Sequence, residues 1–217
     1  MASTPNRVAD RLSAGLKRFQ PVIASAKARD VNESDTVMIV TDMLSEMFGY
    51  DKYAEITSEY VVRGTFVDLA IKLDNHVQFL VEAKAIGLEL KESYTKQAID
   101  YAANLGVEWV ILTNGELWRV YRVTLGKAIE QEQVIELSIP QLSHKRKEDI
   151  DLLYHLSREG WLKSSLGDFH TQKQALGRHV IAALILSDSV VDVIRRELRR
   201  LAPDTKVESE RIRDVLL

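Results

Sequence analysis

The sequence predicts an α/β (α+β) fold, a mixed β-sheet flanked by helices with a helical C-terminal extension. Three observations predict it. Apolar residues recur at helical spacing at both ends of the 217-residue chain, they alternate with period two through its middle, and Asn114-Gly115 separates two of the alternating runs. Hydrophobic residues make up 46% and charged residues 28%, which suits one domain with an appendage and a core of ordinary size.

The elements follow in order. Residues 6–28 form one or two amphipathic helices, with Val8, Leu12, Leu16 and Phe19 on one stripe and Pro21 as an interruption. Asn32 or Ser34 caps the next helix, whose Val37, Val40, Leu44 and Met47 keep helical spacing up to Gly49. The period then changes. Residues 61–73 alternate as a strand, Asp74-Asn75 turns the chain, and residues 77–86 return as the second strand of a hairpin. Residues 92–105 are a helix ended by Gly106. Residues 109–113 and 117–123 make a hairpin around Asn114-Gly115, and residues 134–137 add a strand. From 141 the chain is helical, behind the charged boundary of residues 143–148. The expected division is therefore a core over residues 1–140 and a helical extension over 141–217. The extension carries an apolar stripe of Val191, Ile194, Leu198 and Leu201, suited to a twofold interface, and the chain ends in what reads as the start of a further helix.

Several function classes drop out on composition. A net charge of −3 does not suit a protein that coats nucleic acid, although it leaves room for a nucleic-acid enzyme with a local basic patch. With no cysteine there is neither a disulfide nor a thiolate metal site. No apolar run approaches the ~20 residues that span a bilayer. Because the amino terminus also lacks the apolar core of a secretory signal, a cytoplasmic protein is the simplest reading.

The informative conflict lies in residues 79–86, where Glu82 and Lys84 interrupt an apolar run. Side chains alternate along a strand, so these two point to one face. Burying an unpaired charge is costly, which calls for a partner, a metal or solvent. One account is a solvent-facing pair on an edge strand. The other involves Asp68, which interrupts the neighbouring apolar strand; hairpin register decides whether Asp68 and Glu82 share a face. If they do, the pair is a usual oxygen set for Mg²⁺, completed by water and substrate phosphate, and a lysine two residues on stabilises developing charge or holds the attacking water. On the following helix Gln97 and Tyr101 are four apart and share a face; a solvent-facing Gln beside a half-buried Tyr is the plainer reading.

Asp68, then Glu82-Ala83-Lys84 after an apolar lead, then Gln97-x-x-x-Tyr101 resemble the PD-(D/E)XK nuclease superfamily. More narrowly, the sequence is similar to the amino-terminal nuclease domain of type I restriction enzyme R subunits. The ordered set of matching segments runs from Asn32 to Thr36 through residues 48–53, 59–71, 79–87, 97–102 and 109–123. The resemblance implies a restriction-endonuclease-like sheet and a metal-dependent DNA endonuclease of restriction or defence type. It implies that Asp68 and Glu82 ligate Mg²⁺, with Mn²⁺ able to substitute and the Ala83 carbonyl contributing. Lys84 would orient the water or stabilise charge, and Gln97 and Tyr101 would support the site or touch the DNA backbone. Glu33 matches an acidic residue near the metal, with an N-terminal helix role equally open; Glu59 is taken as a surface residue. The residue before Asp68 is Val67, so the motif's proline is missing, and the proline itself binds nothing.

The partners implied are DNA, a second copy of the chain, and a helicase or specificity subunit, but no membrane. No Gly-x-x-x-x-Gly-Lys-Ser/Thr loop is present, so this chain does not drive translocation by hydrolysing ATP as a full R subunit does. The competing expectation is a catalytically silent nuclease-fold module that binds DNA or protein. Outside this set the sequence offers little chemistry. The five histidines lack metal-ligand spacing, no Gly-x-Ser-x-Gly elbow occurs, and the three tryptophans read as core or interface residues. The arginines of residues 195–200 read as the solvated face of an amphipathic helix or as phosphate contacts.

Overall fold

A computed structural model describes residues 4–62, 65–126, 128–203 and 206–216. Helix α1 (Asn6–Ala28) is continuous through Pro21, contrary to the expected interruption. Both Pro21 and Lys17, one turn earlier, are exposed, so water can hydrate the Lys17 carbonyl that the proline leaves without a donor. Helix α2 (Glu33–Asp42) begins at Asn32, whose side chain accepts the Asp35 N–H at 2.9 Å. Glu33 and Asp35 then fall in the first turn, where the helix dipole favours negative charge. A π-helical turn over Met43–Met47 closes this segment, and Gly49 follows in a left-handed conformation (φ +87°).

Among the described residues six strands form one sheet in the order β1 (Ile56–Val62), β2 (Thr65–Leu73), β3 (His76–Ala83), β4 (Trp109–Thr113), β5 (Leu117–Thr124) and β6 (Glu130–Ser138). All neighbours are antiparallel except β3 and β4, which are parallel. A parallel pair needs a crossover, and helix α3 (Glu92–Leu105) supplies it. It ends at Gly106 with φ +71°.

The run read as one strand over 61–73 is two strands. Residues 56–62 pair with 65–73, and the alternation continues on both sides of the reversal, so period alone does not reveal it. Strand β6 is likewise longer than residues 134–137. Its first half is polar because it lies on the sheet edge, where exposed polar side chains discourage further pairing.

The chain divides into two compact units, Met1–Leu166 and Gly167–Leu217. The charged stretch 143–148 lies inside the first. That unit includes helices α4 (Lys147–Tyr154) and α5 (Arg158–Leu162). Arg11 of α1 grips Glu159 at 2.6 and 2.7 Å, and Arg158 pairs with Glu55 at 2.7 Å. The Trp161 ring packs on Phe79, with ring centres 4.4 Å apart, and edge-on to Trp109. Trp118 is fully buried and donates its indole N–H to the Gly115 carbonyl. Helices α6 (Ser165–Ala175), α7 (Arg178–Ile185), α8 (Asp188–Leu201) and α9 (Ser209–Leu216) complete the chain. In the second unit Val191 of α8 and Ile212 of α9 are buried, so the first part of the apolar stripe of α8 packs within its own unit, while Leu201 at its end is exposed. No helix among the described residues is long and apolar enough to cross a membrane.

Candidate active site

The register of β2 and β3 answers the question that the sequence left open. Leu69 pairs with Val81 and Ala70 with Leu80, which sets Asp68 directly opposite Glu82. Residues opposite each other share a face. Farther along that face, Ala70 and Leu80 pack against Ala98 and Ala102 of α3. The two carboxylates therefore stand where an apolar surface runs out. At this point the ladder gives way to a side-chain contact, the Ala83 N–H donating to Asp68 Oδ2 at 2.7 Å.

Lys84 follows on the same side. Its backbone N–H donates to the Thr113 carbonyl at 2.8 Å, continuing the β3–β4 pairing one residue beyond the strand. The ammonium donates to Glu82 Oε1 at 2.7 Å and lies 3.5 Å from Glu33 Oε1 at the start of α2. It also sits over the Tyr94 ring, 5.5 Å from its centre. Glu82 keeps 2% of its surface and Lys84 8%. The Asn114 amide ties down the loop after Lys84 by donating to the Leu88 carbonyl at 2.9 Å, so the Asn-Gly turn helps hold the site.

Burial and the neighbouring Asp68 charge push the Glu82 carboxyl up to about 7, more than the Lys84 ammonium pulls it down. Burial also raises Asp68, although the Ala83 N–H and Lys84 work in the other direction. Desolvation alone would lower the Lys84 ammonium, but the Glu82 hydrogen bond and the surrounding carboxylates outweigh it and leave it raised. The lysine thus stays a cation at neutral pH, while Glu82 titrates there. Glu82 Oε2 is buried and has no hydrogen-bond partner among the described residues. A buried carboxylate oxygen in that condition needs a proton or a cation.

Glu33, Ser34 and Val37 of α2 and Ser58 and Glu59 of β1 line a cleft of about 220 Å³ with Asp68. Glu59 deserves more than its reading as a surface residue. It is exposed, yet the pairs Ser58–Leu69 and Tyr60–Val67 set it opposite Asp68, in a left-handed conformation (φ +48°) rare for a strand. Its charge contributes to raising Asp68. Gln97 and Tyr101 bond to each other at 2.9 Å on α3, and among the described residues neither is hydrogen-bonded to Asp68, Glu82 or Lys84. Tyr94, three residues before Gln97 on the same helical face, is the α3 residue that meets Lys84; that spacing was the signal available in the sequence.

Among the described residues no three His, Asp or Glu side chains converge into a complete ion cage. Two carboxylates on one face, one of them with a buried oxygen that lacks a partner, nevertheless fit Mg²⁺, which keeps several waters and binds through one or two carboxylates plus phosphate. Sheet order and site geometry together define a mixed α/β fold whose six-stranded, mostly antiparallel sheet brings two carboxylates and a lysine to one face. The family model described as type I restriction enzyme R protein N terminus (HSDR_N) matches residues 38–140, the stretch that holds Asp68, Glu82, Ala83, Lys84, Gln97 and Tyr101, with Glu33 outside it. The match supports a restriction-type, nuclease-like role. No curated protein and no solved structure matches the chain.

Proposed function

We propose that this chain is a Mg²⁺-dependent DNA endonuclease of restriction type, with Asp68 and Glu82 holding the ion, the Ala83 carbonyl contributing, and Glu33 joining from α2. The observation that carries this reading is the partnerless, buried Oε2 of Glu82, on the sheet face that Asp68 shares. When bound, the ion would make a neighbouring water more acidic and offset charge on the scissile phosphate.

The chain's own residues divide the remaining work. Lys84, kept protonated, serves as a donor to a phosphate oxygen or to the attacking water, not as a general base. Tyr94 beneath the ammonium and the Lys84–Thr113 backbone bond fix where that donor points. Glu82 gives up its proton close to neutrality, which readies its oxygens for a cation. Gln97 and Tyr101, on an accessible helix face, are donors for the DNA backbone. Duplex cleavage by such a site calls for a second active site, supplied by another copy of the chain, and a helicase or specificity subunit would deliver the DNA.

Calorimetric titration of Mn²⁺ into wild type and Asp68→Ala, with and without duplex DNA, tests the metal site; saturable binding should appear in wild type and vanish in the variant. Plasmid cleavage in Mg²⁺ tests the chemistry. Lys84→Ala should cut at least about 10²-fold more slowly while keeping its circular dichroism spectrum. Cleavage by Lys84→Ala at the wild-type rate would remove the active-site assignment, and wild type that binds no cation even with DNA present would point to the silent binding module.

A further inference from the structure

Helix α8 in the second unit carries a charge pattern that its own packing does not use. Residues 195–200 read Arg-Arg-Glu-Leu-Arg-Arg, four guanidinium groups and one carboxylate in under two turns. Arg195 and Arg199 are four apart, as are Arg196 and Arg200, so like charges stack in two ladders along the helix. Each such pair of like charges weakens a helix slightly. Acidic neighbours relieve only part of this: Arg195 pairs with Asp192 at 2.8 Å and Arg200 with Glu197 at 3.0 Å. Arg196 and Arg199 are exposed and form no ion pair or hydrogen bond among the described residues. Together with Asp192, the four arginines line a surface depression of about 490 Å³.

We infer that this arginine face of α8 is a docking surface for the phosphate backbone of duplex DNA. The charge density fits. Six helical residues rise about 7.5 Å between the first and last, and a duplex presents one phosphate per roughly 1.7 Å of axis, hence about four over that length. Guanidinium is also the cation best shaped for phosphate, with a planar fork of donors. A basic amphipathic helix can instead lie on an anionic lipid surface, but that mode inserts its apolar stripe. Here Val191 is fully buried, Ile194 and Leu198 are half-buried, only Leu201 at the end of the stripe is exposed, and Arg213 of α9 clamps the start of α8 through Asp188 and the Leu186 carbonyl. Most of the stripe is committed to packing, whereas Arg196 and Arg199 face solvent, which favours a phosphate backbone over insertion into lipid. Choosing DNA as the polyanion rests on the nuclease reading above; the surface itself does not.

The test is anisotropy of a labelled mixed-sequence duplex with the full-length chain in EDTA, over a series of KCl concentrations. Wild type is compared with a variant carrying Arg195, Arg196, Arg199 and Arg200→Gln and with one carrying the same four→Lys. Wild type should bind with a steep salt dependence. The Gln variant should bind at least about tenfold more weakly, with the slope of log affinity against log salt reduced by about 2 to 4, while the Lys variant keeps most of that slope. Asp68→Ala, which reports on the nuclease reading, should lose cleavage in Mg²⁺ while keeping the wild-type salt slope that the arginines set, so loss of cleavage and loss of docking register separately. A Gln variant with unchanged affinity and slope overturns the inference. Wild type that ignores the duplex but sediments with phosphatidylserine vesicles overturns it in favour of a lipid surface.

Discussion

Glu82 at the apolar end of β3 and Lys84 just beyond it are almost wholly buried, whereas Arg196 and Arg199 stand on an open helix face with no acidic partner among the described residues. Both clusters concentrate charge, and the surroundings make them behave differently. Inside the first unit, desolvation is strong enough to push a carboxyl to about 7 although an ammonium donates to it at 2.7 Å. On α8, water screens the arginines, and crowding them costs a few tenths of a kcal/mol per pair. A buried charge must therefore be justified by what it holds, and an exposed cluster by what approaches it. That asymmetry is what makes the strand pair the candidate for chemistry and the helix face the candidate for contact.

The comparison can be broken most directly at the buried pair. Replacing Glu82 with Leu leaves the Lys84 ammonium without its nearest partner and should destabilise the fold by about 3 kcal/mol; adding Lys84→Met should recover most of that, because an apolar pair avoids the desolvation that the ions pay. Urea denaturation of both variants measures this, and equal losses would mean that the pair is not effectively buried.

Protonation sharpens the same contrast. The folded Glu82 carboxyl lies near 7, above its ordinary 4.5, so its contribution to stability is fullest below pH 4.5 and falls as pH rises through 7. The stability difference between wild type and Glu82→Gln should track that window. Mn²⁺ affinity should move the opposite way, rising about tenfold per pH unit below 7 and levelling off above it, because the ligand must first lose its proton. A flat affinity from pH 5.5 to 7 would exclude Glu82 as a ligand.

Smaller effects belong to the exposed side. Asn32→Ala removes the cap that sets Glu33 at the head of α2 and should cost about 1 kcal/mol in thermal unfolding. Arg200→Gln, which breaks an exposed pair with Glu197, should shift stability by no more than about 0.5 kcal/mol.

Much of this protein was legible one residue at a time. Period-two alternation, the Asn114-Gly115 turn, Gly106 and Asn32 are local signals, and each sits where local geometry requires it. Glu82 and Lys84 stood out because a charge in an apolar strand is conspicuous in any context. The reversal between β1 and β2 was missed because alternation is the same on either side of it. Glu59 and Tyr94 were passed over because an exposed Glu and a helix Tyr are ordinary until a neighbour gives them a role. The sequence by itself determined most of the elements, the mixed α/β class and the identity of the conspicuous charges, since these depend on spacing along the chain. Only the tertiary structure decided that Asp68 faces Glu82, that Lys84 reaches both Glu82 and Glu33 across a sheet and a helix, and that one carboxylate oxygen is buried without a partner. Register and burial are set by contacts between residues far apart in the chain, and no local pattern encodes them.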